Sequence, residues 1–195
     1  MAKLYFSYSA MNAGKSTLLL QASWNYRERG METLLMTAAL DDRAGHGVIA
    51  SRIGVSHEAE TFTDGDDLFT RIAAAHENEH LACVFIDEAQ FLTREQVWQL
   101  ARVADDLNVA VMTYGLRTDF AGQLFPGSAE LLAIADQLRE IRTICWCGRK
   151  ASMVARLDAE GRVARAGEQV VIGGNEAYVS LCRRHWRAGD LGETS

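Results

Sequence analysis

Residues 8–17 read YSAMNAGKST, and the fold turns on how this stretch is understood. A phosphate-binding loop follows the pattern G-x-x-x-x-G-K-[ST]. Gly14, Lys15 and Ser16 fill its last three positions, while Ser9 stands where the first glycine belongs. The apolar β-type run KLYFSY (3–8) precedes the stretch. KSTLLLQASWNYRER (15–29) follows it with apolar residues at helical spacing, and Gly30 closes that segment as a helix C-cap. Strand, tight turn and helix is the context such a loop requires, because it aims backbone N–H groups and a helix N-terminus at phosphates. The first glycine contributes backbone freedom and no ligand. A small residue with ordinary dihedrals can therefore replace it.

The alternation continues outward from this point. ETLLMT (32–37) reads as a strand and DDLFTRIAAAHENE (66–79) as a helix. REQVWQLARVADDL (94–107) is a second helical stretch and VAVMTYG (109–115) a further strand. Residues 38–60 are mixed and Gly-dotted, and are expected to form a long loop. ACVFIDE (82–88) is a continuous apolar run ending in acids, the pattern of a strand buried on both faces of a parallel sheet. Alternating strands and helices predict a parallel α/β sheet. Beyond TIC (143–145) the texture changes to short β-like pieces, SMVARL and EQVVIGG, separated by DAEGR. A boundary near residue 143 therefore divides a P-loop domain (1–143) from a small C-terminal unit (144–195).

With 195 residues, of which 48% are hydrophobic, the chain suits one core domain with a small appendage. No apolar run approaches the ~20 residues that span a bilayer, and the start of the chain lacks the pattern of a secretory signal. A cytosolic address without a membrane partner is expected. The net charge of −6 weighs against a nucleic-acid partner. Residues 139–195 nonetheless lean basic and could hold phosphates or an acidic partner.

Phosphoryl transfer also needs an acid at the end of a neighbouring strand, to serve Mg²⁺. Asp87 ends CVFID and fills that place, and Glu88 follows it. Beside an ATP phosphate a Glu at this position either polarises water or takes the proton from a substrate hydroxyl. The residues alone leave both roles open. Phe91, Phe120 and Phe125 supply rings near strand ends, where open α/β sheets bind ligands, and Tyr178 lies in the C-terminal segment. Such rings can sandwich a nucleobase.

Four cysteines occur, at 83, 145, 147 and 182. Cys83 lies within the buried strand and reads as core. Cys145-x-Cys147 and Cys182-x-x-His185 form two close pairs, a Cys₃His set suited to structural Zn²⁺. With four ligands filled, the metal would clamp the base of the intervening segment and let it act as a lid. Read this far, the chain is an ATP-dependent phosphotransferase or ATPase with a zinc-stapled lid.

Taken together, SAMNAGKST, DEAQF, GLRTDF, CWCGRKA and EQVVIGGNEAYVSLCRRH resemble the type II thymidine kinases, over nearly the whole chain. Ser9 and the C-x-C / C-x-x-H set look like the bacterial subgroup of that family. Other members carry Gly and two C-x-x-C pairs. The resemblance implies a RecA-like P-loop domain with a zinc-stabilised lasso, and transfer of the ATP γ-phosphate to the 5′-hydroxyl of thymidine. It implies that Ser9, Ala10, Met11, Asn12, Ala13, Gly14, Lys15 and Ser16 cradle the donor phosphates, that Asp87 serves Mg²⁺, and that Glu88 is the general base. Met11, Leu116, Phe120, Phe125 and Tyr178 would line the thymine pocket with Phe91 beside it, and the backbone of Val171, Ile172 and Gly173 would read the base edge. Arg43, after Asp41, falls where the family has an Asp-x-Arg near the phosphates. Tetramers and inhibition by thymidine triphosphate are further implied properties.

Overall fold

A computed structural model describes residues 1–41, 43–169 and 177–192. Its centre is a 6-stranded sheet built from β1 (Leu4–Ser9), β2 (Thr33–Ala38), β5 (Glu60–Phe62), β6 (Cys83–Ile86), β7 (Ala110–Leu116) and β8 (Gln137–Glu140). The spatial order is β5-β2-β6-β7-β1-β8, and every pairing is parallel. The expected α/β class is thus observed. β6 shows why its sequence is apolar throughout. Val84 and Ile86 point into one core with helices α2 (Leu68–Glu79), α3 (Arg94–Asp106) and α4 (Pro126–Ile134). Cys83 and Phe85 point into the other, beneath helix α1 (Lys15–Arg27). Alternate side chains of a strand face opposite ways, so a strand covered on both sides has no polar face to show. Burial pushes the Cys83 thiol up to about 12, as befits a core cysteine.

Local chemistry fixes the helix starts. Thr93 and Gln96 form a reciprocal capping box at α3, and the Asp67 carboxylate accepts from the Thr70 N–H at α2. Helix α1 has no side-chain cap: its N-cap is Gly14, left-handed at φ 84°. Those first N–H groups remain available to a ligand. The helix ends at Arg27 with Glu28 as its cap. Gly30, at φ 72°, lies two residues further on.

The stretch expected to be loop, 38–60, contains more order than its composition suggests. Val48–Ala50 (β3) and Ser56–Glu58 (β4) pair as an antiparallel hairpin, and β5 then joins the edge of the main sheet. Three-residue strands between glycines are too short to produce a visible period. After β8 come β9 (Thr143–Ile144) with β10 (Lys150–Ala151), then β11 (Met153–Arg156) with β12 (Tyr178–Leu181), each an antiparallel pair. Helix α5 (Arg183–Ala188) follows. These pieces share a separate cluster around Cys145, Ala151, Ala155, Leu181 and Cys182.

Hydrogen bonds stitch the C-terminal pieces onto the sheet's loops. The Ser180 hydroxyl donates to the Met11 carbonyl at 2.6 Å. Arg117 Nη2 donates to the Ser152 carbonyl at 2.9 Å. The Trp186 indole N–H is shared between the Phe120 and Val154 carbonyls at 3.1 and 3.0 Å. The phosphate-loop residues Ala10 and Met11 and the C-terminal Val154 form one buried cluster.

Candidate active site

The turn between β1 and α1 passes through two left-handed residues, Asn12 at φ 62° and Gly14 at φ 84°. Such turns curl successive N–H groups into an anion-binding nest. Ser9 does not share this strain. It is the last residue of β1, in parallel register with Leu116, and its hydroxyl donates to the neighbouring Ala10 carbonyl at 2.6 Å. An extended backbone at position 9 is open to any small residue, so the missing glycine leaves the loop intact.

Lys15 is 9% exposed and sits among charges. Burial pulls its ammonium below the ordinary range, against the upward pull of Glu88 and Asp87. The Ser16 hydroxyl donates to Asp87 Oδ2 at 2.9 Å. Burial first, and then the negative charge of Glu88, push the Asp87 carboxyl upward. A buried acid touching a hydroxyl, with a lysine beside it, offers the oxygen donors that a hard divalent cation takes.

Glu88 occupies left-handed backbone at φ 52°. Its Oε1 accepts from Arg43 Nη2 at 2.9 Å, and its Oε2 accepts from the Gln90 amide. Arg43 grips Asp41 at the same time, through Nε at 2.6 Å and Nη2 at 2.7 Å. The hydrogen bond to Asp41 leads the effects that raise the Arg43 pKa. Glu88 lies in the wall between two cavities. One, of about 1310 Å³ with its open mouth, runs along residues 11–17, Asp87 and the β3 hairpin. The other, of about 640 Å³, is lined mainly by apolar side chains and also contains Asp119 and Gln169.

Met11, Phe91, Leu116, Phe120, Phe125 and Tyr178 all border this second cavity. The Phe91 and Phe125 rings meet edge to face at 5.9 Å. Phe120 carries the Arg156 guanidinium 3.8 Å from its ring centroid. That guanidinium also donates to the Glu168 and Ala166 carbonyls at 2.7 and 3.3 Å. Val171, Ile172 and Gly173 lie outside the described residues.

Cys145, Cys147, Cys182 and His185 converge, with their ligand atoms all within 4.8 Å of one another. A tetrahedral zinc with Zn–S of about 2.3 Å would hold sulfurs about 3.8 Å apart, so the spacing fits. His185 turns Nδ1 toward Cys145 Sγ at 3.4 Å, while Nε2 lies 3.9 Å from Asp190 Oδ2. A carboxylate behind the distal ring nitrogen is a usual support for a metal-bound imidazole. The Trp146 ring stacks on His185 at 4.3 Å.

Other site residues were not anticipated from sequence. Gln90 bridges Glu88 and β7, and Asp119 accepts from the N–H groups of Ala121 and Gln123 and from the Gln169 amide. Both stand inside stretches already singled out, DEAQF and GLRTDF, but amide and carboxylate side chains in loops read as solvated surface. Asp190 stands five residues beyond His185, with no sequence signal of its own.

A phosphate nest on a parallel sheet, an acid pair two strands away and an adjoining aromatic pocket define a P-loop nucleotide-handling enzyme of the α/β class. The family model for thymidine kinase matches residues 2–186, and the chain belongs to that family. The thymidine kinase of Agrobacterium fabrum is 68% identical over 186 residues, covering 95% of this chain and 96% of that protein. That of Ruegeria pomeroyi is 68% identical over 194 residues, covering 98% of each. That of Shewanella oneidensis is 62% identical over 187 residues, covering 96% and 97%.

Proposed function

We infer that the protein is a thymidine kinase, transferring the γ-phosphate of ATP to the 5′-hydroxyl of thymidine. The observation that carries this reading is the position of Glu88, whose carboxylate stands in the wall shared by the phosphate-loop cleft and the aromatic cavity. A hydroxyl entering from the aromatic side meets the carboxylate before it meets the phosphates. Glu88 takes the proton as the hydroxyl oxygen bonds to the γ-phosphorus, and the bond to the β-phosphate oxygen breaks to leave ADP.

The residues from Ser9 to Ser16 hold the donor, with Lys15 on the β- and γ-phosphates. Ser16 and Asp87 would hold Mg²⁺, which supplies neutralisation of phosphate charge when bound. Arg43 spans Asp41 and Glu88 at the junction of the two cavities and steadies the base. Met11, Leu116, Phe120, Phe125 and Tyr178, with Phe91 beside them, receive the thymine ring, and the backbone at 171–173 reads its edge. Cys145, Cys147, Cys182 and His185 hold structural zinc, and residues 144–195 form a unit clamped by it. A cytosolic tetramer inhibited by thymidine triphosphate completes the reading, drawn from the family. Among the described residues no helix is long and apolar enough to cross a membrane.

The test is turnover of the purified protein with ATP, Mg²⁺ and thymidine, with products separated by chromatography. Equal amounts of ADP and thymidine monophosphate are expected. ATP hydrolysis that leaves thymidine unphosphorylated would overturn the reading.

A further inference from the structure

Glu88 is anchored from two sides, and the two anchors differ in kind. Arg43 reaches Oε1 from an exposed loop. Gln90 reaches Oε2 from within the protein, where it is 1% exposed. The Gln90 side chain has a second partner: its Oε1 accepts from the Leu116 N–H at 2.9 Å. A backbone N–H can only donate, and an ionised carboxylate can only accept. The amide therefore has one orientation that satisfies both, with oxygen toward Leu116 and nitrogen toward Glu88.

The surroundings allow little else. Gly115 lacks a side chain where a Cβ would lie 2.9 Å from both the Gln90 backbone nitrogen and its Oε1. The Leu116 carbonyl is in turn held by the Ser128 hydroxyl of α4. Leu116 also borders both cavities.

We propose that Gln90 is a positioning residue for phosphoryl transfer, its amide locking the Glu88 carboxylate to the end of β7 so that one orientation of the base faces the acceptor hydroxyl. This rests on the reading of Glu88 as general base. Glu88 sits in left-handed backbone that L-residues adopt only when their surroundings hold them there, and the Gln90 bond is part of that hold. No other common side chain replaces it. Glutamate keeps the acceptor for Leu116 but loses the donor to Glu88, asparagine is one methylene short, and methionine fills the volume with neither.

The test compares Gln90→Glu and Gln90→Met with the parent by steady-state kinetics in both substrates, with thermal midpoints in parallel. Gln90→Glu keeps the acceptor for Leu116 but sets a second carboxyl against Glu88, so its kcat is read across pH and beside Gln90→Met, which loses the donor without adding a charge. The expected result is a kcat at least about tenfold lower with both KM values within about threefold, the signature of an interaction needed in the transition state. Gln90→Met should lose at least as much kcat and also melt lower. In a Glu88→Gln background, Gln90→Glu should cost less than about twofold, because the group it positions is gone.

Parental kcat in Gln90→Glu beside a slow Glu88→Gln enzyme overturns the proposal alone. So does the same fold-loss from Gln90→Glu in both backgrounds. Parental kcat in Glu88→Gln overturns the base reading, and the proposal with it.

Discussion

Position 9 needs an extended backbone and a small side chain, and serine meets both needs. Ser9→Gly should therefore change the KM for ATP by less than about threefold, since glycine adds only backbone freedom that a strand end does not use. Lys15→Ala removes the charged side chain that reaches into the nest. Its kcat should fall about 10²-fold or more, the scale of losing one preorganised donor to a transition-state charge. Steady-state assays of the two variants side by side check the contrast. Reversal of the order would mean that the loop works through its first residue. Glu88→Gln keeps the size and hydrogen-bonding reach of the side chain but cannot take a proton. Thymidine affinity by calorimetry should stay close to the parent while kcat drops about 10²- to 10⁴-fold.

Among the elements, α4 is the one whose packing most directly supports the site. Gly127 in its first turn lies against the short helical turn 89–91 that carries Gln90 and Phe91. A Cβ there would stand 2.6 Å from the Ala89 carbonyl, 2.7 Å from that of Leu92 and 3.0 Å from that of Gln90. These are backbone atoms, so relief requires moving α4 or the turn. Gly127→Ala should lower stability by about 1–3 kcal/mol, as overpacking does. Urea unfolding monitored by circular dichroism measures it, and an unchanged midpoint would mean that the helix shifts freely.

This contact also shows where sequence reading stops. The nest, β6 with its acids and the Cys₃His set were legible because each writes a pattern into neighbouring residues: a motif, an apolar run, a pair spacing. Helix α4 opens with Pro126 and Gly127, and β8 reads QLRE with three of its four residues exposed, so neither carries a period. Gln90 and Asp119 were illegible for another reason. Their partners, Leu116 and Gln169, lie 26 and 50 residues away. Only the fold brings a polar side chain to the donor or acceptor that makes its burial affordable.

At the scale of the whole molecule, the aromatic cavity proposed for the acceptor is a joint product of the sheet and the C-terminal pieces. Tyr178, Val154 and Gln169 line it together with Met11, Leu116 and Phe125. The phosphate cleft, in contrast, is lined entirely by residues 11–116. Loosening the C-terminal unit should therefore separate the two substrates. Cys182→Ser removes one of the four proposed zinc ligands and one member of the small cluster around Cys145. It should raise the KM for thymidine by at least about tenfold, because ordering the segment then falls to the substrate, at about 1–2 kcal/mol per residue fixed. The KM for ATP should move by less than about threefold, on the same reasoning. Elemental analysis of the parent should find about one zinc per chain. A zinc-free parent with full activity, or an unchanged thymidine KM in the variant, would count against the clamp.

The strand order has a consequence for how the protein comes into being. β1 precedes the other strands of the sheet in the sequence, yet its two neighbours are β7 and β8, so Tyr5 awaits Met112 on one side and Gln137 on the other. The Ser180 bond to Met11 closes a span of 169 residues. During synthesis the apolar β1 thus has no mate in the sheet until the β7 residues around Met112 are made, and the aromatic cavity acquires its last wall only once Tyr178 is made. Pairings this distant carry a large loop-closure entropy before they return any contact energy. Refolding from denaturant should accordingly be slow for a chain of this length, and the unpaired first strand is where a crowded nascent chain is most exposed to sticking to its neighbours.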